Sequence, residues 1–274
     1  MTTASDNRHS SAPSVEKPFG AEPTALIVGH PGHEMRLHAW LHRVRPTVFV
    51  LTDGSGKGGP SRIQATGRVL QEAGARPGSV FGRLTDRRAY EIILSRDVDA
   101  VAELTLQLAE DLVAGNVHQV VSDAVEGINP VHDLCFFVAD AAARSAGRRL
   151  GHPIAHYDFL LEAAPDARPV AAPLTLHLDD RELDRKLDAA AAYEELRFEV
   201  ERALQQLGRE AFRSETVYPV PARPRVEDRI DGTPYYETYG ARRVAEGAYS
   251  EILRLEHHFK PLIADLQQRL ELGL

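Results

Sequence analysis

The sequence predicts an α/β fold, in which a mostly parallel, doubly wound sheet is followed by a helical C-terminal extension. Two observations support this prediction. Short apolar runs alternate with helical patterns from Pro23 to Ala163, and strands that are joined by helical crossovers pair in parallel. After Ala163 the pattern changes to longer helical stretches joined by Pro-rich segments.

Each predicted element follows from its local pattern. Strands are predicted where short apolar runs are bounded by turn residues, at 25–28, 47–51, 80–84, 117–122 and 154–161, with a short one at 175–178. Helices are predicted where apolar residues recur at helical spacing, at 35–44, 61–73, 99–114, 132–146, 182–208 and 246–272, the last broken near 261. Residues 217–233 are Pro-rich and are predicted to be irregular.

These patterns divide the chain into three regions. Residues 1–20 are rich in Ser, Thr, Pro and charge, which predicts a disordered tail. Residues 21–163 form the predicted α/β core. Residues 164–274 form the extension, whose long helices are expected to complete the pocket.

Composition excludes several classes of protein. The chain has 274 residues and a net charge of −8, and its charges are interspersed, unlike the basic patches of nucleic-acid or membrane-surface proteins. No run approaches the roughly 20 apolar residues that span a bilayer, and no secretory signal is recognisable. The single cysteine, Cys135, lies in an apolar run and is predicted to be buried in the core. A chain with one cysteine has no internal disulfide, which suits a protein of a reducing compartment. We therefore expect a cytoplasmic protein without nucleic-acid or membrane partners.

Three histidines follow predicted strands. His30 and His33 come directly after the first strand, and His132 follows the strand at 117–122. Ligands of open α/β sheets bind at the carboxyl ends of strands, where neighbouring loops meet. A catalytic zinc ion usually takes three protein ligands and keeps a fourth position for water. Although most histidines in surface loops bind nothing, this placement predicts one zinc ion per chain, bound by these three residues.

Carboxylates in the same loops are candidates for proton transfer, namely Glu34, Asp53, Asp123, Glu126 and Asp133. For any one of them, a helix cap or a turn is the more common role. Asp53 opens a glycine-rich loop that lacks the spacing of a phosphate-binding loop, so we interpret that loop as a rim of the pocket.

The motifs together resemble the zinc-dependent N-acetylglucosaminyl deacetylases of the PIG-L/LmbE-like type. Residues 29–34, Gly-His-Pro-Gly-His-Glu, correspond to Ala-His-Pro-Asp-Asp-Glu in that family. Residues 52–54 correspond to its Thr-x-Gly motif, and Arg-Ile-Gln-Ala at 62–65 corresponds to Arg-x-x-Glu. Asn-Pro-Val-His at 129–132 corresponds to His-Pro-Asp-His. The resemblance covers residues 24–160 and implies a Rossmann-like core.

The departures from the family motifs bear on mechanism. The resemblance implies metal ligands at His30, His33 and His132, where His33 replaces an aspartate. The position of the family's general base is Gly32, and that of its oxyanion-stabilising histidine is Asn129. An amide donates a hydrogen bond but does not carry a proton in and out. A base moved elsewhere is therefore expected, with Glu126 the first candidate and Asp123 the second.

The resemblance also implies a substrate and a reaction. Arg62, Asp86 and Asp53 are expected to bind the substrate, and Asn129 is expected to act in catalysis. The expected activity is hydrolysis of an N-acyl or related bond of a sugar-like or small natural-product substrate, by metal-activated water. The alternatives are a non-hydrolytic metal-dependent enzyme and a catalytically inactive relative that binds a metal or a sugar. A homo-oligomer is compatible with each of them.

A tyrosine-rich segment at 234–240 allows two interpretations. Its aromatic rings and carboxylate suit stacking on, and hydrogen bonding to, a sugar ring. Equally, it could be a packed loop that buries its tyrosine rings.

Overall fold

The computed structural model describes residues 22–168 and 174–271. Within these ranges the strands form one seven-stranded sheet in the order β3-β2-β1-β4-β5-β7-β6. The strands are β1 (Thr24–Val28), β2 (Thr47–Thr52), β3 (Arg76–Leu84), β4 (Gln119–Asp123), β5 (Ala155–Phe159), β6 (Leu174–His177) and β7 (Ser214–Pro219). Strands β1 to β5 pair in parallel, whereas β7 and β6 add antiparallel strands at one edge. The predicted mostly parallel, doubly wound sheet is confirmed.

Helices cover both faces of the sheet. They are α1 (His38–Val44), α2 (Ile63–Ala73), α3 (Asp86–Ser95), α4 (Val98–Ala114), α5 (Pro130–Leu150), α6 (Asp180–Ala192), α7 (Arg197–Leu207), α8 (Tyr235–Ala245) and α9 (Lys260–Glu271). Helix α9 packs beside α4 and α5, so the C-terminal part of the chain extends the helical layer on one face.

The central strand β1 shows how the two layers are built. All five of its residues are buried. Successive side chains of a strand point to opposite faces, so Ala25 and Ile27 join the core under α4 and α5, while Leu26 and Val28 join the core under α1 and α2. A strand buried on both faces reads as a nearly continuous apolar run, so β1 could be predicted from the sequence.

The order of the strands places a crevice beside β1. The chain proceeds from β1 outward to β2 and β3, and then returns to β4 on the other side of β1. At such a switch point the loops after the two neighbouring strands diverge to opposite faces and leave a ligand-binding crevice. Here those loops carry the three histidines.

The C-terminal half differs from the prediction in several elements. The single helix predicted at 182–208 is two helices, because Tyr193 leaves helical geometry (φ −81°, ψ 85°) and buries its ring. The segment predicted to be irregular begins with the end of β7, and the tyrosine-rich segment is the start of helix α8. At the end of the chain, helical structure begins only at Leu255 and passes through Pro261 in the first turn of α9, where proline is tolerated.

Two predictions concern the ends and the exterior of the chain. The disordered tail predicted at 1–20 lies outside the described residues. In the described part of the chain, none of the helices combines the length and the apolar character that a membrane crossing needs.

Candidate metal centre and cleft

The structure brings the three predicted metal ligands together. The ring centroids lie 5.3 Å apart for His30 and His33, 5.1 Å for His30 and His132, and 4.5 Å for His33 and His132. In a tetrahedral site with Zn–N bonds of about 2.0–2.1 Å, the centroids of histidine ligands lie about 5 Å apart. The spacing of the rings therefore suits a single metal ion between them.

Local backbone geometry places each ring. Gly32 has a φ of +102°, a conformation that L residues rarely adopt, and it turns the chain so that His33 begins a short 3-10 helix. His132 lies in the first turn of α5, whose N-terminus is capped by the Asn129 side chain. Pro130 occupies the first helical position, where a missing N–H is harmless.

Two of the three rings have a carboxylate partner on their Nδ1 atom. His30 Nδ1 lies 2.7 Å from Thr52 Oγ1 and 3.0 Å from Asp86 Oδ1. His33 Nδ1 lies 2.8 Å from Asp123 Oδ2. Because an ionised carboxylate only accepts hydrogen bonds, the proton between His30 and Asp86 lies on Nδ1 of His30. A metal-bound histidine typically has such a partner on its other nitrogen.

Burial sets the charge states of the cluster. Burial, followed by the neighbouring histidine, lowers the pKa of both His33 and His132 well below 6.5, so both rings are neutral at pH 7, the form that binds metals. Burial alone would raise the pKa of Asp86, but the hydrogen bond and charge of His30 bring it down to about 2. Burial raises the pKa of Asp123 to about 7.

The cluster fits zinc in residue type and in the spacing of its rings. Among the described residues, no three donor side chains already stand in a coordinating arrangement. His30 Nε2, for instance, lies 3.4 Å from Asn129 Nδ2. Binding of a metal ion would therefore require the rings to reorient.

Asn129 has a defined orientation. Its Oδ1 accepts the backbone N–H of Val131 at 2.9 Å, as a helix cap. This directs the side-chain NH₂ group towards the cleft and His30. The family position of a histidine is thus occupied by a neutral hydrogen-bond donor.

A cleft of about 590 Å³ opens over the histidines. Its floor contains the three rings with Asp86 and Asn129, and Arg62 lies at its side. One wall comes from α6 and α7 and is mostly apolar. On the opposite side Tyr239 of α8 reaches the cleft, so part of the tyrosine-rich segment lines it. The volume lies within the range of about 300–1,000 Å³ that is usual for small-molecule sites.

Leu196 occupies the space beside Gly32. A Cβ atom added to Gly32 would lie 2.2 Å from Leu196 Cδ1. Leu196 belongs to the short turn between α6 and α7, which lies over the first histidine loop. Gly32 is therefore covered by a side chain from another part of the chain.

Three of the predicted polar residues have other partners and do not line the cleft. The Glu126 carboxylate accepts hydrogen bonds from the backbone N–H groups of residues 161–163, and so fixes the loop after β5. Asp53 accepts from the backbone and hydroxyl of Ser55, which is a turn interaction. Asp123 is 0% exposed and lies behind His33, with the Gly29 N–H donating to it at 2.7 Å.

The other strand-end carboxylates, Glu34 and Asp133, shape the backbone. Glu34 accepts from the Gly32 N–H and from the Thr66 hydroxyl, and burial raises its pKa to about 7. Asp133 accepts from the backbone N–H of Glu126, and burial raises its pKa to about 7 as well. Cys135 is buried, as predicted, and burial raises the pKa of its thiol.

Sequence reasoning missed two features of the site. The contact of Thr52 with His30 was detectable, because Thr52 is the last residue of β2 and β2 pairs with β1. For the apolar wall from α6 and α7, the sequence showed only helical periodicity. That periodicity does not indicate what the apolar face of a helix contacts.

Comparisons with known proteins yield structural likenesses alone. No family model and no curated protein match the chain. A solved structure of an antimicrobial pseudoaglycone deacetylase is 16% identical with a TM-score of 0.48, over 74% of this chain and 98% of that one. A conserved protein from Thermus thermophilus is 16% identical with a TM-score of 0.48, over 75% and 97%. A deacetylase of the teicoplanin biosynthesis pathway is 12% identical with a TM-score of 0.45, over 72% and 97%.

Two of these three solved structures are of deacetylases. Their identities and TM-scores are too low to carry an argument about activity, which rests on the geometry of the cleft. By its own structure, the chain is a Rossmann-like α/β protein with a three-histidine cluster at the switch point of its sheet.

Proposed function

We propose that the chain is a metal-dependent hydrolase that removes an acyl group from the nitrogen of a sugar-like small molecule. The observation that carries the proposal is the histidine cluster. The rings of His30, His33 and His132 lie side by side, and the Nδ1 atoms of the first two have carboxylate partners. A decayed site would have no reason to keep three adjacent imidazoles, two of them oriented by carboxylates.

The three histidines would hold one zinc ion. Bound there, zinc would supply a Lewis acid that polarises an acyl carbonyl and lowers the pKa of water towards about 7. Asp86 and Asp123 act as positioning residues, because each fixes the orientation of one ring through its Nδ1 atom.

Asn129 and Arg62 would act on the substrate directly. The NH₂ group of Asn129 faces the cleft next to His30, so it is placed to donate to the oxygen on which negative charge develops. Arg62 lines the cleft, and its guanidinium lies 3.9 Å from the exposed Glu199 carboxylate. Its donors suit the hydroxyl or carboxylate groups of a sugar-like substrate.

The choice of Glu126 as general base, with Asp123 next, stays a prediction. To accept a proton from water, Glu126 would have to give up backbone hydrogen bonds in the loop after β5. Asp123 contacts the cleft only through His33. The Glu126→Gln variant separates these roles: loss of turnover with normal folding supports Glu126 as the base, and retained turnover excludes it.

A second candidate function is binding of a metal or ligand without turnover. One observation favours it: Leu196 fills the space beside Gly32, where the family's general base would lie. Under this alternative the histidine cluster and the cleft are the same, but no water is activated.

The test is release of free amine from N-acylated glucosamines by zinc-loaded protein, compared with the His132→Ala variant. We expect turnover in the wild type, and loss of at least about 10²-fold in the variant, since removal of a ligand removes the metal-dependent step. His257→Ala serves as the control, because His257 is an exposed residue remote in sequence from the cluster. Stoichiometric zinc without turnover on any N-acyl substrate would refute the hydrolase and favour the binding protein.

A further inference from the structure

Helix α7 carries an apolar stripe that the protein leaves half-buried. Val200, Ala203, Leu204 and Leu207 stand at positions i, i+3, i+4 and i+7 and so share one face of the helix. All four line the cleft. Ala203, Leu204 and Leu207 pack in part against the small core that contains Leu183 and Phe212, but none of the residues of α7 is fully buried. The stripe therefore presents apolar surface to the cleft.

The stripe is continuous with other apolar residues of the same wall. Leu187 and Ala190 of α6 and the Phe212 ring line the cleft beside it. At the other end, Leu196 lies against Gly32 and leads to the histidine floor. An apolar surface thus runs from the histidines along α7.

Polar side chains also line the cleft. Lys186, Glu199, Arg202 and Gln206 come from α6 and α7, and the histidines occupy the floor. Phe198 lies outside the cleft and is 83% exposed, so the apolar residues of α7 are divided between cleft and solvent. A ligand that matches this arrangement has a polar group at the floor and an apolar chain along the wall.

We propose that this wall binds an aliphatic acyl chain, so that the substrates are N-acyl compounds with chains much longer than acetyl. From Val200 to Leu207 the stripe spans seven residues at 1.5 Å per residue, or about 10 Å, which accommodates a chain of about eight carbons. The inference rests on the proposed function for the position of the acyl carbonyl, over the histidines. It goes beyond that function in naming the acyl group.

Binding without turnover tests the wall. Hexanoate, octanoate, decanoate and dodecanoate are titrated into chelator-treated full-length protein by calorimetry, below the concentrations at which they aggregate. Burial of each methylene contributes about 0.8 kcal/mol, so we expect affinity to rise about three- to fourfold per added carbon up to the length of the wall, and then to level off. Absence of saturable binding, or affinity independent of chain length, would overturn the inference.

Matched variants on one helix locate the binding site. Val200→Ser should weaken octanoate binding about five- to tenfold, whereas Phe198→Ser should leave it unchanged, because Phe198 lies outside the cleft. Ala203→Phe should shift the plateau to shorter chains by filling the wall. Equal effects of Val200→Ser and Phe198→Ser would overturn the assignment to the cleft, even if fatty acids bind.

Turnover assays distinguish an error in the acyl-chain site from an error in the proposed function. Faster amine release from N-octanoyl- than from N-acetylglucosamine, reversed by Ala203→Phe, supports the inference. Equal hydrolysis of the two substrates, without binding of free octanoate, would refute the binding of an acyl chain by the wall but would not contradict the proposed hydrolase activity. Length-dependent binding without any hydrolysis supports the wall and refutes the hydrolase.

Discussion

Replacing Gly32 with aspartate would add a carboxylate to the loop that carries His30 and His33, but we expect it to destabilise this protein. Gly32 has a φ of +102°, and a strained backbone of this kind costs about 1–3 kcal/mol for an L residue. The new Cβ would lie 2.2 Å from Leu196 Cδ1, and pushing that side chain aside costs about 1–2 kcal/mol more. Together these effects predict a loss of about 2–5 kcal/mol in the free energy of unfolding.

Urea denaturation of five proteins, namely the wild type, Gly32→Asp, Leu196→Ala, the double variant and Gly151→Asp, measures the two contributions. Leu196→Ala combined with Gly32→Asp should recover about 1–2 kcal/mol relative to the sum of the single changes, because it removes the contact but not the strain. Gly151→Asp is the control for strain alone, since Gly151 also has a positive φ (75°) and nothing lies within 4 Å of an added Cβ. A Gly32→Asp variant as stable as Gly151→Asp, without coupling to Leu196→Ala, would refute the claim that Leu196 covers this position.

Three further outcomes are expected. Burial, as the largest cause, lowers the pKa of His38 to about 4. Below pH 6.5 the unfolded state therefore binds more protons than the folded state, and the free energy of unfolding falls as the pH falls. In urea titrations the wild type should lose about 1–2 kcal/mol between pH 7.5 and 5, and the His38→Gln variant should not show this loss. Asp86→Asn should weaken zinc binding about 10–100-fold by calorimetry, and Asp53→Asn should not; equal effects would contradict a positioning role for Asp86. Lys186→Met leaves the Glu215 carboxylate buried without its ammonium partner, which should cost about 3–5 kcal/mol in urea midpoint experiments; a change under 1 kcal/mol would contradict the pairing.

The parallel half of the fold was predictable because its signals are local. Strand β1 is buried on both faces, so it had to be an uninterrupted apolar run between turn residues. The positions of His30 and His132 followed from the rule that loops at the carboxyl ends of neighbouring parallel strands meet. These two inferences were sufficient to place the histidine cluster.

The C-terminal helices and strands were harder to predict from the sequence because long-range contacts determine them. Strand β7 is short, ends in Pro219 and becomes a strand by pairing with β5 and β6. The break between α6 and α7 occurs where Tyr193 buries its ring and its hydroxyl contacts Thr66, which is far away in sequence. Glycine and proline around α8 suggested a loop, although Gly240 lies within a helix and is buried.

The roles of individual carboxylates were the least predictable part of the site. Asp123 and Glu126 lie in the loop predicted for the general base, yet one holds His33 and the other holds backbone N–H groups after β5. A carboxylate in a strand-end loop has the same residue type whether it holds a ring, fixes a turn or moves a proton. Its hydrogen-bond partners distinguish these roles, and the partners come from distant segments.

Metal stoichiometry tests the central claim most directly. Wild type, His33→Ala and His257→Ala, purified without a histidine tag, are dialysed against zinc and analysed for bound metal. We predict about one zinc ion per chain in the wild type and in His257→Ala, and loss of that ion in His33→Ala. A wild type that takes up no metal, or a His33→Ala variant that keeps a full equivalent, would contradict the three-histidine centre.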